Sequence, residues 1–283
     1  MYNINMNKLS IEKRTQVIKA LVEGNSIRAT CRIADTAKGT VIRLLRDIGK
    51  ACAEYQDKHL RNLSSQRIEC DEIWSFCYAK AKNVPQDKQN QFGYGDVWTF
   101  VALDADTKLV LSWLVGLREL EYAYEFARDI KGRLSNRVQL TTDGHRMYYE
   151  AVRHTFGDDI DYAMLVKYYG NVQDESGRYS PPKCIQTATK LVNGSPDMTK
   201  VSTSYIERQN LTMRMSMRRL TRLTNAFSKK IENLEYAVAL HFMYYNFARP
   251  HKTLTKPYPK TPAMAAGLTD HIWTVEGIVR LVT

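Results

Sequence analysis

Three acids stand where an unassisted carboxylate is hard to explain. Asp71 lies inside "IECDEIWSF", and a carboxylate in so apolar a strand is costly unless it is paired, protonated or bound to a cation. Asp143 follows Val138–Thr142 and precedes Gly144, where a side chain can project past a sheet edge. Glu207, in "STSYIERQN", has no acidic companion until Glu232, while Arg208, Arg214, Arg218, Arg219, Arg222, Lys229 and Lys230 follow it. It could be a salt-bridge partner, a helix-capping charge or a metal ligand facing a phosphate backbone. Oxygen donors suit Mg²⁺, which keeps several waters and takes phosphate oxygens as further ligands. Two such ions about 3.5–4 Å apart stabilise both the attacking and the leaving oxygen of a phosphodiester. At about 100° per residue, Arg214, Arg218 and Arg222 return to the Glu207 face, while Met213, Met217 and Leu220 fall opposite. That pattern favours Glu207 as a metal ligand beside an arginine stripe that holds phosphates. Glu72 and Asp104 are competing carboxylates. His145 reads as a hydrogen-bonded residue after a turn, and Trp74, Trp98 and Trp113 as sheet core.

The elements that must position these acids are legible from periodicity. "RIECDEIWSFCYAK" and "DVWTFVALDADTKLVLSWLVG" are aromatic and β-branched, and the second turns at Asp104-Ala-Asp-Thr, which predicts a hairpin. Between them "NVPQDKQNQFGYGD" reads as a polar loop. A helix in "ELEYAYEFARDIKGRL", a strand in "NRVQLTTDGH", a helix in "RMYYEAVRHTF" and a strand in "DYAMLVKYY" follow. Residues 170–200 read as loop, with Pro181-Pro182, Gly194 and Pro196. Ser204 to about Tyr245 reads as helix, and "NFARPHKTLTKPYPKTPAMAAGL" is broken by four prolines. This order predicts a mixed sheet with helices on its faces. Asp71 then lies within the first strand, Asp143 at the end of a later one, and Glu207 on a helix.

Residues 1–62 read as three helices. "LSIEKRTQVIKALVEGN" stops at Gly24-Asn25, "SIRATCRIAD" starts with a Ser26 cap, and "TAKGTVIRLLRDIGKAC" starts at Thr36. Two short helices and a tight turn before a basic third one is the helix-turn-helix pattern, with Lys38, Thr40, Arg43 and Arg46 on the face offered to DNA. The alternative is a plain three-helix bundle. This segment carries twelve Lys and Arg against six Asp and Glu, hence +6 of a total of +11. Such an excess, with a pI near 9.3, favours a polyanionic partner, nucleic acid before membrane. Five cysteines with no C-x-x-C pair argue against a disulfide framework and a zinc finger. No apolar signal core and no run of eighteen apolar residues is present, so a soluble, cytoplasmic chain in a reducing compartment is expected.

"DEIWSF", "VWTFVALDADTKLVLSW", "LTTDGH" and "STSYIERQNLTMRMSMRRLTRLTNAFSKK" together resemble the insertion sequence 1 family of DDE transposases, from about residue 10 to about 275. The tail "YYNFARPHKTL…TPAMAAG" is similar to the closing segment of many integrase-like transposases. One departure is the lack of a cysteine zinc motif ahead of the helix-turn-helix. The resemblance implies an α/β, RNase H-like catalytic domain over 63–248, with an insertion loop at about 170–203. An all-α helix-turn-helix domain (1–62) would precede it and a Pro-rich tail (249–283) follow. It implies that Asp71, Asp143 and Glu207 are the catalytic, metal-binding triad, that two Mg²⁺ ions serve them with Mn²⁺ able to substitute, and that double-stranded DNA is bound. Arg208, Arg214, Arg218 and Arg222 would join the helix-turn-helix residues on that DNA. In the mechanism it implies, water cuts at the element end to free a 3′-hydroxyl, which then attacks target DNA. Joining two ends implies a homo-oligomer, at least a dimer on DNA. Other readings are an inactive or domesticated DNA-binding relative, a nuclease acting on RNA–DNA hybrids, and a tyrosine recombinase using Tyr205. The last lacks the arginine–histidine cluster its chemistry needs.

Overall fold

The computed structural model describes residues 8–170 and 184–282. It begins with α1 (Ile11–Val22), α2 (Ile27–Ile33) and α3 (Lys38–His59). Ser10 and Ser26 cap the first two, their hydroxyls accepting from the N–H of Lys13 and Ala29. Thr36 does not start the third. Its hydroxyl donates to the Ala34 carbonyl, and α3 begins two residues later without a side-chain cap. α3 runs on past Cys52 and packs along α7 (Ile231–Met243), so tightly that a Cβ on Gly49 would come 2.5 Å from Tyr236. Val17, Ile18, Ile48 and Cys52 thereby share one buried cluster with Ile68, Cys70, Phe100 and Leu140 of the sheet.

The sheet has six strands: β1 (Arg67–Cys77), β2 (Gly95–Asp104), β3 (Val110–Gly116), β4 (Gln139–Asp143), β5 (Asp161–Tyr169) and β6 (Cys184–Asn193), ordered β3-β2-β1-β4-β5-β6. β4 is parallel to β1 and β5, and the other pairings are antiparallel. This is the expected RNase H-like mixed sheet. The period-2 alternation of β1 divides its side chains between two cores. Ile68 and Cys70 pack under α4 (Leu120–Arg133) and α5 (Arg146–Phe156), with Phe126 and Ala151. Ile73 and Cys77 pack under α6 (Ser204–Ser216) and α7, with Ile206 and Val238.

Three elements differ from the sequence reading. Within 170–200, read as loop, residues 184–193 form β6; the stretch 171–183, with Pro181-Pro182, lies outside the described residues. β6 is exposed along nearly all its length, so backbone pairing to β5 holds it and no buried alternation betrays it. The helix expected from Ser204 to Tyr245 breaks at Met217, the C-cap of α6. There the Thr221 hydroxyl donates to the Arg214 carbonyl, Arg214 Nη1 donates to Leu220 O, and Leu223 takes a φ of 59°. Arg214 is therefore on α6, Arg218 in a short 3₁₀ turn and Arg222 in the loop after it, so they form no continuous helical stripe. The proline-broken tail adds α8 (Pro262–Ala265) and α9 (Val275–Val279), whose Ala263, Ile278 and Val279 enter the first core. No helix among the described residues is long and apolar enough to cross a membrane.

Candidate active site

β1 outruns β4. Their last paired residues are Cys70 and Thr142, so from Asp71 to Phe76 β1 has no strand partner on that side, and Asp143 is the last residue of β4. The sheet opens at this point, and three carboxylates gather there. One oxygen each from Asp71, Glu72 and Asp143 lie within 4.8 Å of one another. Asp71 Oδ1 accepts from the Glu72 N–H at 2.9 Å and Oδ2 from Asn210 Nδ2 at 2.9 Å. Asp143 Oδ1 accepts from the His145 N–H at 3.0 Å, and His145 Nδ1 accepts in turn from the Met147 N–H at the start of α5. Glu72 is clamped: Arg118 Nε donates to Oε1 at 2.6 Å and the Tyr148 hydroxyl to Oε2 at 3.0 Å, leaving its side chain 2% exposed.

This grouping is under electrostatic load. Burial, and then the neighbouring charge of Glu72, push the Asp71 carboxyl up to about 7, with Asp143 and Glu207 adding to the rise. Burial and Asp143 also raise Glu72, against the pull of Arg118. An all-oxygen donor set with excess negative charge is what a hard divalent cation fits.

Glu207 comes from the other side of the sheet edge, on α6. Asn210 is three residues further along the same helix face and touches Asp71, so the Glu207 face is turned toward the cluster. Its carboxylate is engaged elsewhere: Oε1 accepts from Thr203 Oγ1 at 2.5 Å and pairs with Lys167 of β5. It is 45% exposed and stands outside the grouping of three. What holds α6 in place is Glu69, a buried acid two residues before Asp71. Its Oε2 accepts from the N–H groups of Tyr205 (2.9 Å) and Ile206 (3.0 Å), two of the donors a helix start leaves free. Asn210 Oδ1 is buried and has no hydrogen-bond partner among the described residues.

The other expected positions scatter. Lys38, Arg43 and Arg46 are exposed on α3, with Thr40 half-buried beside them. Arg208, Arg218 and Arg222 are exposed, whereas Arg214 is half-buried and pushed down to about 10 by that burial and by Arg222. Asp104 is a turn former: its carboxylate accepts from the N–H groups of Asp106 and Thr107 and from Ser65 Oγ. Of the tryptophans expected in the core, Trp98 and Trp113 pack against it, but Trp74 joins neither cluster. Sequence reasoning did not select Glu72, Asn210 or Glu69. The i, i+3 spacing of Glu207 and Asn210 is the one sequence signal that points to Asn210.

No protein-family model matches the sequence, and no curated protein matches it. Among solved structures the chain is similar to the Mos1 transposase paired-end complex with left transposon end, at 12% identity and a TM-score of 0.23. That match covers 57% of this chain and 61% of the other, so the chain spans about three fifths of that protein's length. It is also similar to the Mos1 mariner paired end complex with Mn (10% identity, TM-score 0.30, covering 86% of this chain and 78% of that one). A third is the piggyBac transposase synaptic complex with hairpin DNA (10%, 0.40, 99% and 73%). All three TM-scores lie below 0.5, so the function rests on this chain's own residues.

Proposed function

We propose that the chain is a DDE-type DNA transposase, of the insertion sequence 1 family that its sequence resembles. The observation that carries this reading is the meeting of Asp71, Asp143 and Glu72 within 4.8 Å at the open β1–β4 edge, beside the helix face that bears Glu207 and Asn210. Mg²⁺ or Mn²⁺ bound there would supply Lewis acidity to a phosphodiester and neutralise its developing charge.

The protein's own groups have distinct tasks. Asp71 and Asp143 offer free carboxylate lone pairs to cations, and Glu207 completes the set by turning from Lys167. Lys167, so released, is left as a positive charge facing a substrate phosphate. Asn210 holds the orientation of Asp71, and Glu72, tied to Arg118 and Tyr148, deepens the negative field without leaving its place. The exposed Lys38, Arg43 and Arg46, with Thr40, belong to a helix-turn-helix that reads duplex ends. Arg208, Arg218 and Arg222 hold backbone phosphates, and Arg214 braces the turn after α6. Strand transfer joins two ends, so the working form is a homo-oligomer on double-stranded DNA.

The test is strand cleavage of labelled DNA carrying the sequences that flank this gene, with Mg²⁺ or Mn²⁺, for wild type beside Glu207→Gln. Metal-dependent nicking at the end by wild type, lost in the variant while DNA binding persists, is the expected result. Binding without cleavage by the wild type, across metals and substrates, would instead make the chain a DNA-binding relative.

A further inference from the structure

Three aromatic side chains belong to neither core and touch one another. Trp74 and Phe76 follow Glu72 on the same face of β1. Their ring centroids are 5.9 Å apart, and Phe227, from the loop after α6, lies 4.6 Å from Phe76. All three are half-buried, so each ring keeps area open to solvent. The Phe227 loop is pinned to the end of β1, because the Tyr78 N–H donates to Ser228 O at 2.9 Å and Arg219 Nη1 to Ser228 Oγ at 2.8 Å. Cations flank the rings: Lys229 Nζ is 3.9 Å from the centroid of Phe227 and Lys80 Nζ 5.9 Å from that of Phe76. From Glu72 to Phe76 the strand advances about 13 Å.

At its far end this row meets a cleft. Phe227 lines a cavity of about 950 Å³ between α2–α3 and the loop. Arg28, Lys38 and Arg46 stand on one wall and Arg218, Lys229 and Lys230 on the other, with Glu232 the only acid among the described lining residues. Among the described residues Arg28, Lys38, Arg218 and Lys230 have no carboxylate partner. Rings that merely anchored a loop would need neither flanking lysines nor continuity from an acidic centre to a basic cleft.

We propose that Trp74, Phe76 and Phe227 form a stacking track that receives an unpaired DNA strand between the carboxylates and the basic cleft. The proposal rests on the DNA-processing reading above. Every base presents a π-face, so such a track tolerates any sequence, while neighbouring lysines hold the phosphates. Bases inside a duplex have their faces covered, so the track serves a strand that has been unstacked near the cut. The basic cleft beside the helix-turn-helix makes DNA the occupant.

The test is fluorescence anisotropy with full-length protein and two labelled DNAs of one duplex sequence, one blunt and one with a single-stranded 3′ extension. Wild type should bind the extended DNA more tightly. Phe227→Ala should weaken that binding about 5- to 150-fold, the range for loss of one base–aromatic stack. It should leave blunt-duplex affinity unchanged, and Phe227→Tyr should restore the preference. Equal wild-type affinity for the two DNAs, or a Phe227→Ala variant that keeps the preference, overturns the track. Tighter binding of the same extension made as RNA overturns the choice of DNA. Wild type that binds neither DNA fails the underlying reading instead, so the two failures are distinguishable.

Discussion

Glu69 and Asp71 are two residues apart on one strand and burial raises both, but their surroundings answer the two charges differently. Burial raises the Glu69 carboxyl, but the free N–H groups at the start of α6 donate two hydrogen bonds to it and, with Lys108, pull it back down. Asp71 receives one backbone and one amide donor but has Glu72 and Asp143 beside it, and its proton affinity climbs. The first acid closes a structural account; the second leaves one open. A carboxylate left short of positive charge in a folded chain marks a place where something else supplies it. The same helix connects the two, since the cap on Glu69 fixes the α6 that brings Asn210 to Asp71.

The contrast can be tested by removing either acid. Asp71→Asn should lower metal-dependent strand cleavage by about 10³-fold, at the upper end for removal of one electrostatic contact to a reacting group. A cleavage assay at saturating DNA reads this, and a drop of less than tenfold would move Asp71 out of the site. Glu69→Ala should act on the fold instead, destabilising it by about 2–3 kcal/mol because two helix-start donors lose their acceptor. Urea unfolding measures that, and a neutral outcome would dissolve the distinction between the two acids. Asn210→Ala falls between them. It should reduce apparent Mg²⁺ or Mn²⁺ affinity by about 10–100-fold, as the loss of groups that orient a ligand does, with little change in unfolding.

The smallest effect concerns pH. Asp71 is held up to about 7 in the folded protein, against 3.8 for an ordinary aspartate. Between those values the folded chain binds the extra proton, so this residue's contribution to stability falls as pH rises from about 4 to about 7. The difference in Tm between wild type and Asp71→Asn should therefore widen over that window in the variant's favour. Millimolar Mg²⁺ at neutral pH should narrow it. A pH-independent difference would show that Asp71 is not under load.

Much of the sheet was readable because its buried strands advertise themselves. "DYAMLVKYY" and "RMYYEAVRHTF" coincide with β5 and α5, and the Asp104 turn with the β2–β3 connection. β6 was missed because an exposed edge strand needs hydrogen bonds rather than apolar alternation. The break after Met217 was missed because side chains of Arg214 and Thr221 take up carbonyls at α6's end, a tertiary choice that helical periodicity cannot foresee. At the site, Asp71 was conspicuous as a charge among apolar residues. Glu72 read only as a competing carboxylate, and the partners that make it part of the site, Arg118 and Tyr148, lie far off in sequence. Partners supplied by other elements decide what a carboxylate does, and a linear reading sees only the carboxylate.

The absence of a Cβ at Gly49 lets α3 lie against Tyr236, so the N-terminal helices are fused to the sheet through a common interior. If these helices read DNA as proposed, a head built in this way would work as a ruler. On the proposed function, one base pair inserted between a sequence read by α3 and the phosphate to be cut would turn that phosphate by roughly a tenth of a helical revolution, and a fused head would have no slack with which to follow it. On that reading the length of DNA between recognition and cut would be set by the fold itself, in a way that a head on a flexible tether could not impose.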